Sequence, residues 1–242
     1  MKSNAVRRWG RDPGIINVKR AVALNKYPIV VAILFAFVAI VAANLGNTFL
    51  KGVPDGGIIA QDFALFSSAM TALAASMLTM PVTLLYVYDK NNGVLEYFLA
   101  LGMNQGDVYK RYLKAGLILV ALLLIAVTVA NIAVALIVGG GMILPLAASG
   151  IAATLAFPII SLVTMAMMAF SSLQRSRAGA NQPLAASLGV FLLLPLLYIT
   201  PWFLPFVVGV VVDLVEAVII AALAISLLLL SSRFISREKL LP

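Results

Sequence analysis

Hydrophobic positions along this chain form long unbroken runs, and the charges that interrupt them fall in a few short clusters. Between Lys26 and Lys51 lie 24 uncharged residues. A helix rising about 1.5 Å per residue needs roughly 20 to cross a hydrocarbon core of about 30 Å, so a first span is placed at 28–45. A second fills the 26 uncharged residues at 63–88, after a short outer loop containing Lys51, Pro54, Asp55, Gly56 and Gly57. Ser68, Ala72 and Ser76 fall four apart there, a small-residue stripe suited to close helix packing.

After Lys114 no charge appears for sixty residues, until Arg175. One helix cannot use that length, and Gly139, Gly140 and Gly141 supply the break between spans at 115–138 and 142–170. Asn131, Thr154, Ser161 and Thr164 are mild polar groups in these spans, read first as interhelical hydrogen-bonding groups. Pro158 is a candidate kink, and Met165, Met167 and Met168 read as adaptable packing. A polar loop at 171–183 carries Arg175 and Arg177 and leads to a fifth span at 184–200. Pro201, Trp202, Pro205 and Gly209 then interrupt an apolar stretch, which reads as re-entrant or interface-lying. The sixth span is placed at 213–230.

Asp213 and Glu216 stand three apart, hence on one helix face. Each would cost about 2.5–3.5 kcal/mol at the bilayer centre, which places this acidic pair near the outer interface or against a wet cavity. As first-turn carboxylates they suit the positive end of the last helix; cation attraction or proton coupling is the other reading.

The charged island at 89–114 holds four of the seventeen basic and three of the nine acidic residues, so it is expected in water between the second and third spans. Val94, Leu95, Phe98, Leu99 and Leu101 recur at helical spacing with Glu96 on another face, which predicts an amphipathic helix over 93–102, entered and left at Gly93 and Gly102. Asn104 with Asp107 three residues on predicts the N-terminus of a second helix, carrying Lys110, Arg111 and Lys114 to the membrane surface. At the N-terminus, Asp12 and Pro13 are a cap and first-turn pair. Ile15, Val18 and Val22 then share a face, with Ile16 beside them and Lys19, Arg20 and Lys26 elsewhere, as in a helix lying in the interface.

Composition agrees: 242 residues, 63% hydrophobic and 11% charged, against about 45–50% and about 25% for soluble chains. The chain reads as one all-α integral membrane domain over 1–242, a six-transmembrane-helix bundle. With no Cys and no His, thiolate and imidazole chemistry are excluded. The net charge of +8 is explained by topology and contact with anionic membrane lipid, not by nucleic acid. With both ends inside, the inner segments hold seven, four, two and three basic residues, leaving Lys51 outside.

The wording of 88–116, YDKNNGVLEYFLALGMNQGDVYKRYLKAG, resembles the first cytoplasmic loop of type-2 ATP-binding-cassette (ABC) exporter permeases, with Gly93, Leu95, Glu96, Leu99, Leu101 and Lys114 fitting the pattern. Asn91 and Asn92 depart from it, standing where charged residues are common. The N-terminal helix resembles the family's connecting helix, the segment before the last span its re-entrant element, and the Arg-Glu-Lys-Leu-Leu ending its tail. The resemblance implies a permease in the cell membrane whose 93–102 coupling helix docks onto a separate ATPase subunit. Val94, Leu95, Phe98 and Leu99 would be the knobs filling a groove on it. It also implies a second permease copy, in a homodimer or heterodimer, with ATP and Mg bound by the partner subunit. This chain has no phosphate-binding loop ending in Lys-Ser or Lys-Thr and is expected to be neither an enzyme nor a cofactor-binding protein. Other readings are an ATP-independent secondary transporter or channel, and a haem-exporter-type permease.

Overall fold

The structure is a computed structural model that describes residues 13–49, 55–173 and 204–234. The fifth span expected at 184–200, most of the loop at 171–183, Lys51 and the C-terminal tail lie outside the described residues. Within them the chain is helical, with turns between helices and no strand. The helices are α1 (Pro13–Leu24), α2 (Tyr27–Phe49), α3 (Gly56–Met77), α4 (Thr79–Asn91), α5 (Val94–Ala100), α6 (Gln105–Val138), α7 (Ile143–Leu173) and α8 (Phe206–Phe234).

Among the described residues, five stretches are long and apolar enough to cross a membrane: Tyr27–Gly46, Gly56–Asn91, Gly106–Val138, Ile143–Ala169 and Phe206–Leu230. This is a multi-pass membrane protein. The expected first, third and fourth spans fall on α2, α6 and α7. Gly139, in left-handed conformation at φ 67°, ends α6, and the Gly140 amide returns to the Ala135 carbonyl at 2.9 Å. A residue with a Cβ would be strained there.

The second span differs from expectation in length. α3 and α4 join through Leu78, which keeps helical dihedrals (φ −71°, ψ −10°). The interruption has a local cause: Pro81 has no amide hydrogen to return to the Met77 carbonyl. The resulting 36-residue stretch is about 54 Å long, and the 34-residue α6 about 51 Å, against a core of about 30 Å. Both therefore overhang the membrane. Asp89 and Lys90, expected in water, are buried in the last turn of α4, and the second short helix of the island is the first three turns of α6.

The last span also starts earlier. α8 begins at Phe206, directly after Pro205, and runs through Gly209 without a break, so the expected separation between a re-entrant piece and a final span is absent from Phe206 onward. Proline just ahead of a helix costs no hydrogen bond, and one glycine is tolerated in an otherwise apolar helix.

Close contacts set the packing. α2 and α3 form a tight antiparallel pair: a Cβ on Gly46 would stand 2.9 Å from the Phe63 Cβ, and the Ser67 hydroxyl donates to the Ala39 carbonyl at 2.8 Å. Ser68, Ala72 and Ser76 are buried, as the stripe predicts, and both serines return their hydroxyls to their own helix. α7 runs between α3, α6 and α8, continuing through Pro158. Met165, Met167 and Met168 fill its packed faces. Near the Gly139 turn a polar chain crosses three spans: Asn44 Nδ2 donates to Asn131 Oδ1 at 3.2 Å, and Asn131 Nδ2 to Ser149 Oγ at 3.0 Å. Asn131 thus bonds between helices, whereas the Thr154 and Ser161 hydroxyls bond within α7 and the buried Thr164 hydroxyl finds no partner.

Candidate docking site at the foot of the second and third spans

The overhanging ends of α4 and α6 form a foot that α1 and α5 complete. Its interior is aromatic. Tyr86, Tyr109 and Tyr112 are fully buried, with the Tyr86 and Tyr112 rings edge to face at 5.2 Å and the Tyr86 and Tyr109 rings tilted at 5.9 Å. Such pairs add about 0.5–1.5 kcal/mol beyond their buried area.

α1 is docked on this foot through a face rotated from the expected one. Gly14, Asn17 and Ala21 are buried, Val18 and Val22 pack beside them, and Ile16 is turned outward. The rotation follows from Arg20, whose guanidinium forks onto the fully buried Asp89 carboxylate: Nη1 donates to Oδ2 at 2.9 Å and Nη2 pairs with Oδ1. The Tyr112 hydroxyl donates to the same Oδ2 at 2.6 Å. The hydrogen bond that Arg20 donates to Asp89 raises the Arg20 pKa against the opposing effect of burial, which keeps the guanidinium charged. Neither Arg20 nor Asp89 stands out in the sequence as a pair. The only signals there are an arginine on an amphipathic helix and an aspartate closing a span.

α5 is a seven-residue helix held between two glycines, as its sequence predicts. Gly93 precedes it at φ 73° and Gly102 follows at φ 81°. At its end the Met103 amide reaches the Phe98 carbonyl (3.2 Å) and the Gly102 amide the Leu99 carbonyl (3.0 Å), closing the last turn. Asn104 caps α6 by position, with extended dihedrals and no side-chain bond, and Asp107 lies 3.8 Å from Lys110, both exposed.

The orientation of α5 divides its apolar residues between the foot and the outside. Leu95 is fully buried in the foot and belongs to the apolar cluster that also holds Ala21, Tyr86, Val108, Tyr109 and Tyr112. Phe98 and Leu99 pack partly against that cluster, Val94 is half-buried, and the Arg111 guanidinium covers the Phe98 ring at 5.1 Å from its centroid. The face expected to supply the knobs is therefore satisfied largely within the chain. An amphipathic pattern tells that a face needs cover, not which surface supplies it. What α5 turns outward is Glu96, Tyr97, Ala100 and Leu101, with Tyr97 and Leu101 each 63% exposed.

The acidic pair lies elsewhere, on the inner face of α8. Asp213 is buried and Glu216 has a buried Oε2 with no hydrogen-bond partner. One turn on, Ala217 and Ile220 pack against Ala69, Ala72 and Leu155 of α3 and α7. Because α8 starts at Phe206, the two acids stand beyond its first turn, and the expected pairing with the helix's positive end does not occur. No group of three or more metal-ligating side chains occurs among the described residues. Comparison of the chain with protein-family models, with curated proteins and with solved structures finds no match.

Proposed function

We propose that this protein is the permease subunit of an ATP-driven ABC transporter, working as an exporter. A separate ATPase subunit docks on the outward face of α5 and supplies ATP and Mg. Two permease copies form the pathway, with the foot and both termini on the cytoplasmic side of the cell membrane. The observation that carries this reading is that α5 is rooted by Leu95 in the overhang of two spans while Tyr97 and Leu101 are left bare. A short helix built this way passes a push on its outer face straight into the membrane helices. Aromatic and aliphatic side chains exposed at its tip suit a partner groove.

The test is co-purification in mild detergent with a candidate ABC ATPase subunit produced in the same cells. Tyr97→Asp with Leu101→Asp is expected to abolish association while leaving thermal stability within about 0.5 kcal/mol, as for exposed sites. Intact co-purification of that variant would overturn the docking assignment.

A second reading, an ATP-independent secondary transporter, is favoured by one observation: the buried Asp213 and the unpartnered Glu216 Oε2 inside a span. Asp213→Asn with Glu216→Gln separates the two. Transport that persists and still needs ATP supports the permease; transport that is lost with ATP hydrolysis unchanged supports ion coupling.

A further inference from the structure

We infer that Asn92 is a site of spontaneous modification, at which the joint between α4 and α5 turns asparagine into aspartate and isoaspartate and so loosens the seat of α5. The inference rests on the joint alone and stands whether or not an ATPase binds α5. Of the ten asparagines in the chain, Asn92 is the one followed by glycine. It is exposed, and with Gly93 it forms the whole connection between Asn91 at the end of α4 and Val94 at the start of α5.

Loss of the side-chain amide goes through a five-membered ring. The Gly93 amide nitrogen, once its proton has passed to hydroxide, attacks the Asn92 Cγ; an N–Cγ bond forms, the Cγ–Nδ2 bond breaks and ammonia leaves. Water then opens the succinimide at either carbonyl. Opening at Cγ restores the main chain with an aspartate, and opening at the main-chain carbonyl leaves an isoaspartate, with one extra methylene in the main chain. Gly93 favours the attack because no Cβ shields its nitrogen; beyond its chain neighbours, the nearest described atom to its Cβ position is Glu96 Oε2, 3.7 Å away.

Two bonds hold the joint closed. Asn92 Nδ2 donates to the Tyr88 carbonyl at 2.8 Å, and the Gly93 amide donates to the Lys90 carbonyl at 3.2 Å. Both must be released before the ring can form, and at the exposed end of a helix such bonds contribute little net stability. The joint opens between two fixed points, since Asp89 before it and Leu95 after it are fully buried. Asn91 and Asn104 are exposed as well, but Asn92 and Gln105 follow them, and the Cβ of each crowds the nitrogen that would attack. The product acts on α5 because Gly93 enters that helix at φ 73° and its carbonyl accepts from the Tyr97 amide at 3.2 Å. A methylene inserted just ahead of this turn lengthens the joint that positions Leu95, and a new carboxylate joins Glu96 at the entry of the helix.

The full chain in mild detergent, held in mildly alkaline buffer and digested at intervals, tests this by peptide mass and by chromatographic separation of aspartate from isoaspartate. Asn92 is expected to gain the mass difference between amide and acid in both forms, at a rate rising in proportion to hydroxide, while Asn91 and Asn104 stay unchanged. A synthetic peptide of residues 86–98 supplies the unstructured rate, and the folded chain should lag it by about tenfold to a hundredfold, the protection that two exposed hydrogen bonds give. A lag beyond about a thousandfold would overturn the inference, as would equal conversion at Asn91 or Asn104. Asn92→Gln, whose longer side chain disfavours the ring, separates this reaction from general ageing. The aged wild-type chain should melt at a lower temperature than the fresh one, and aged Asn92→Gln should not; equal loss in both, or none in either, would overturn the effect on α5.

Discussion

Arg20 and Asp89, sixty-nine residues apart, join the first described helix to the end of the second span by a forked ion pair whose carboxylate is fully buried. Removing the cation alone would strand a buried charge, whereas removing both leaves only a packing defect. Arg20→Ala is expected to cost about 1–3 kcal/mol, less than the roughly 3–5 kcal/mol of a fully buried pair because the guanidinium is partly exposed. Asp89→Asn added to it should recover some of that loss. Thermal denaturation of the four species in one detergent measures the coupling; strictly additive effects would mean that the pair contributes nothing.

Leu95 and Tyr97 should respond in opposite ways although they are two residues apart. Leu95→Ala opens a cavity among three tyrosines and is expected to cost about 2–4 kcal/mol. Tyr97→Ala removes an exposed ring and should change stability by less than about 0.5 kcal/mol. Melting temperatures of the two variants, with ATPase co-purification of the second, check both halves of the docking geometry.

Gly46 permits the closest approach of α2 and α3, with its missing Cβ 2.9 Å from that of Phe63. Gly46→Ala is expected to push the helices apart and cost about 1–3 kcal/mol. Gly150, which has open space around its Cβ direction, makes the control: Gly150→Ala should be neutral or slightly stabilising. Equal losses at both positions in a thermal assay would contradict the packing described.

Asn131 sits at the centre of the polar chain from Asn44 to Ser149. Asn131→Leu breaks both interhelical bonds, yet hydrogen bonds inside membranes average only about 0.6 kcal/mol each, so a loss of about 1–2 kcal/mol is expected in reversible unfolding. Asn44→Leu should cost less, since it ends one interhelical bond and not two; its other bond, to the Ile40 carbonyl, lies within its own helix, where that carbonyl keeps its backbone partner.

The first, third and fourth spans are legible because uncharged runs and the triple-glycine break leave few ways to fold them, and Gly93 and Gly102 mark α5 to within two residues. What escapes the sequence is direction. Val94, Leu95, Phe98 and Leu99 announce an apolar face, but only the tyrosines contributed by α4 and α6, from elsewhere along the chain, decide that Leu95 turns inward. Asp89 likewise reads as solvated because a carboxylate closing a span ordinarily is; a guanidinium from α1 makes its burial tolerable. The spacing of the acidic pair on α8 correctly gives it a shared face, while its position within the helix depends on Phe206–Asp213 being helical, which Pro201, Pro205 and Gly209 argue against.

The continuous helix α6, about 51 Å from Gln105 to Val138, passes from the foot to the Gly139 turn. A rod of that length is an amplifier of angle: a tilt of about 5° imposed at its base sweeps the far tip sideways by roughly 4 Å. Asn131 lies near that tip and grips both Asn44 and Ser149. A nudge too small to disturb the aromatic base would thus arrive at the opposite leaflet as a displacement wide enough to pull neighbouring helices apart.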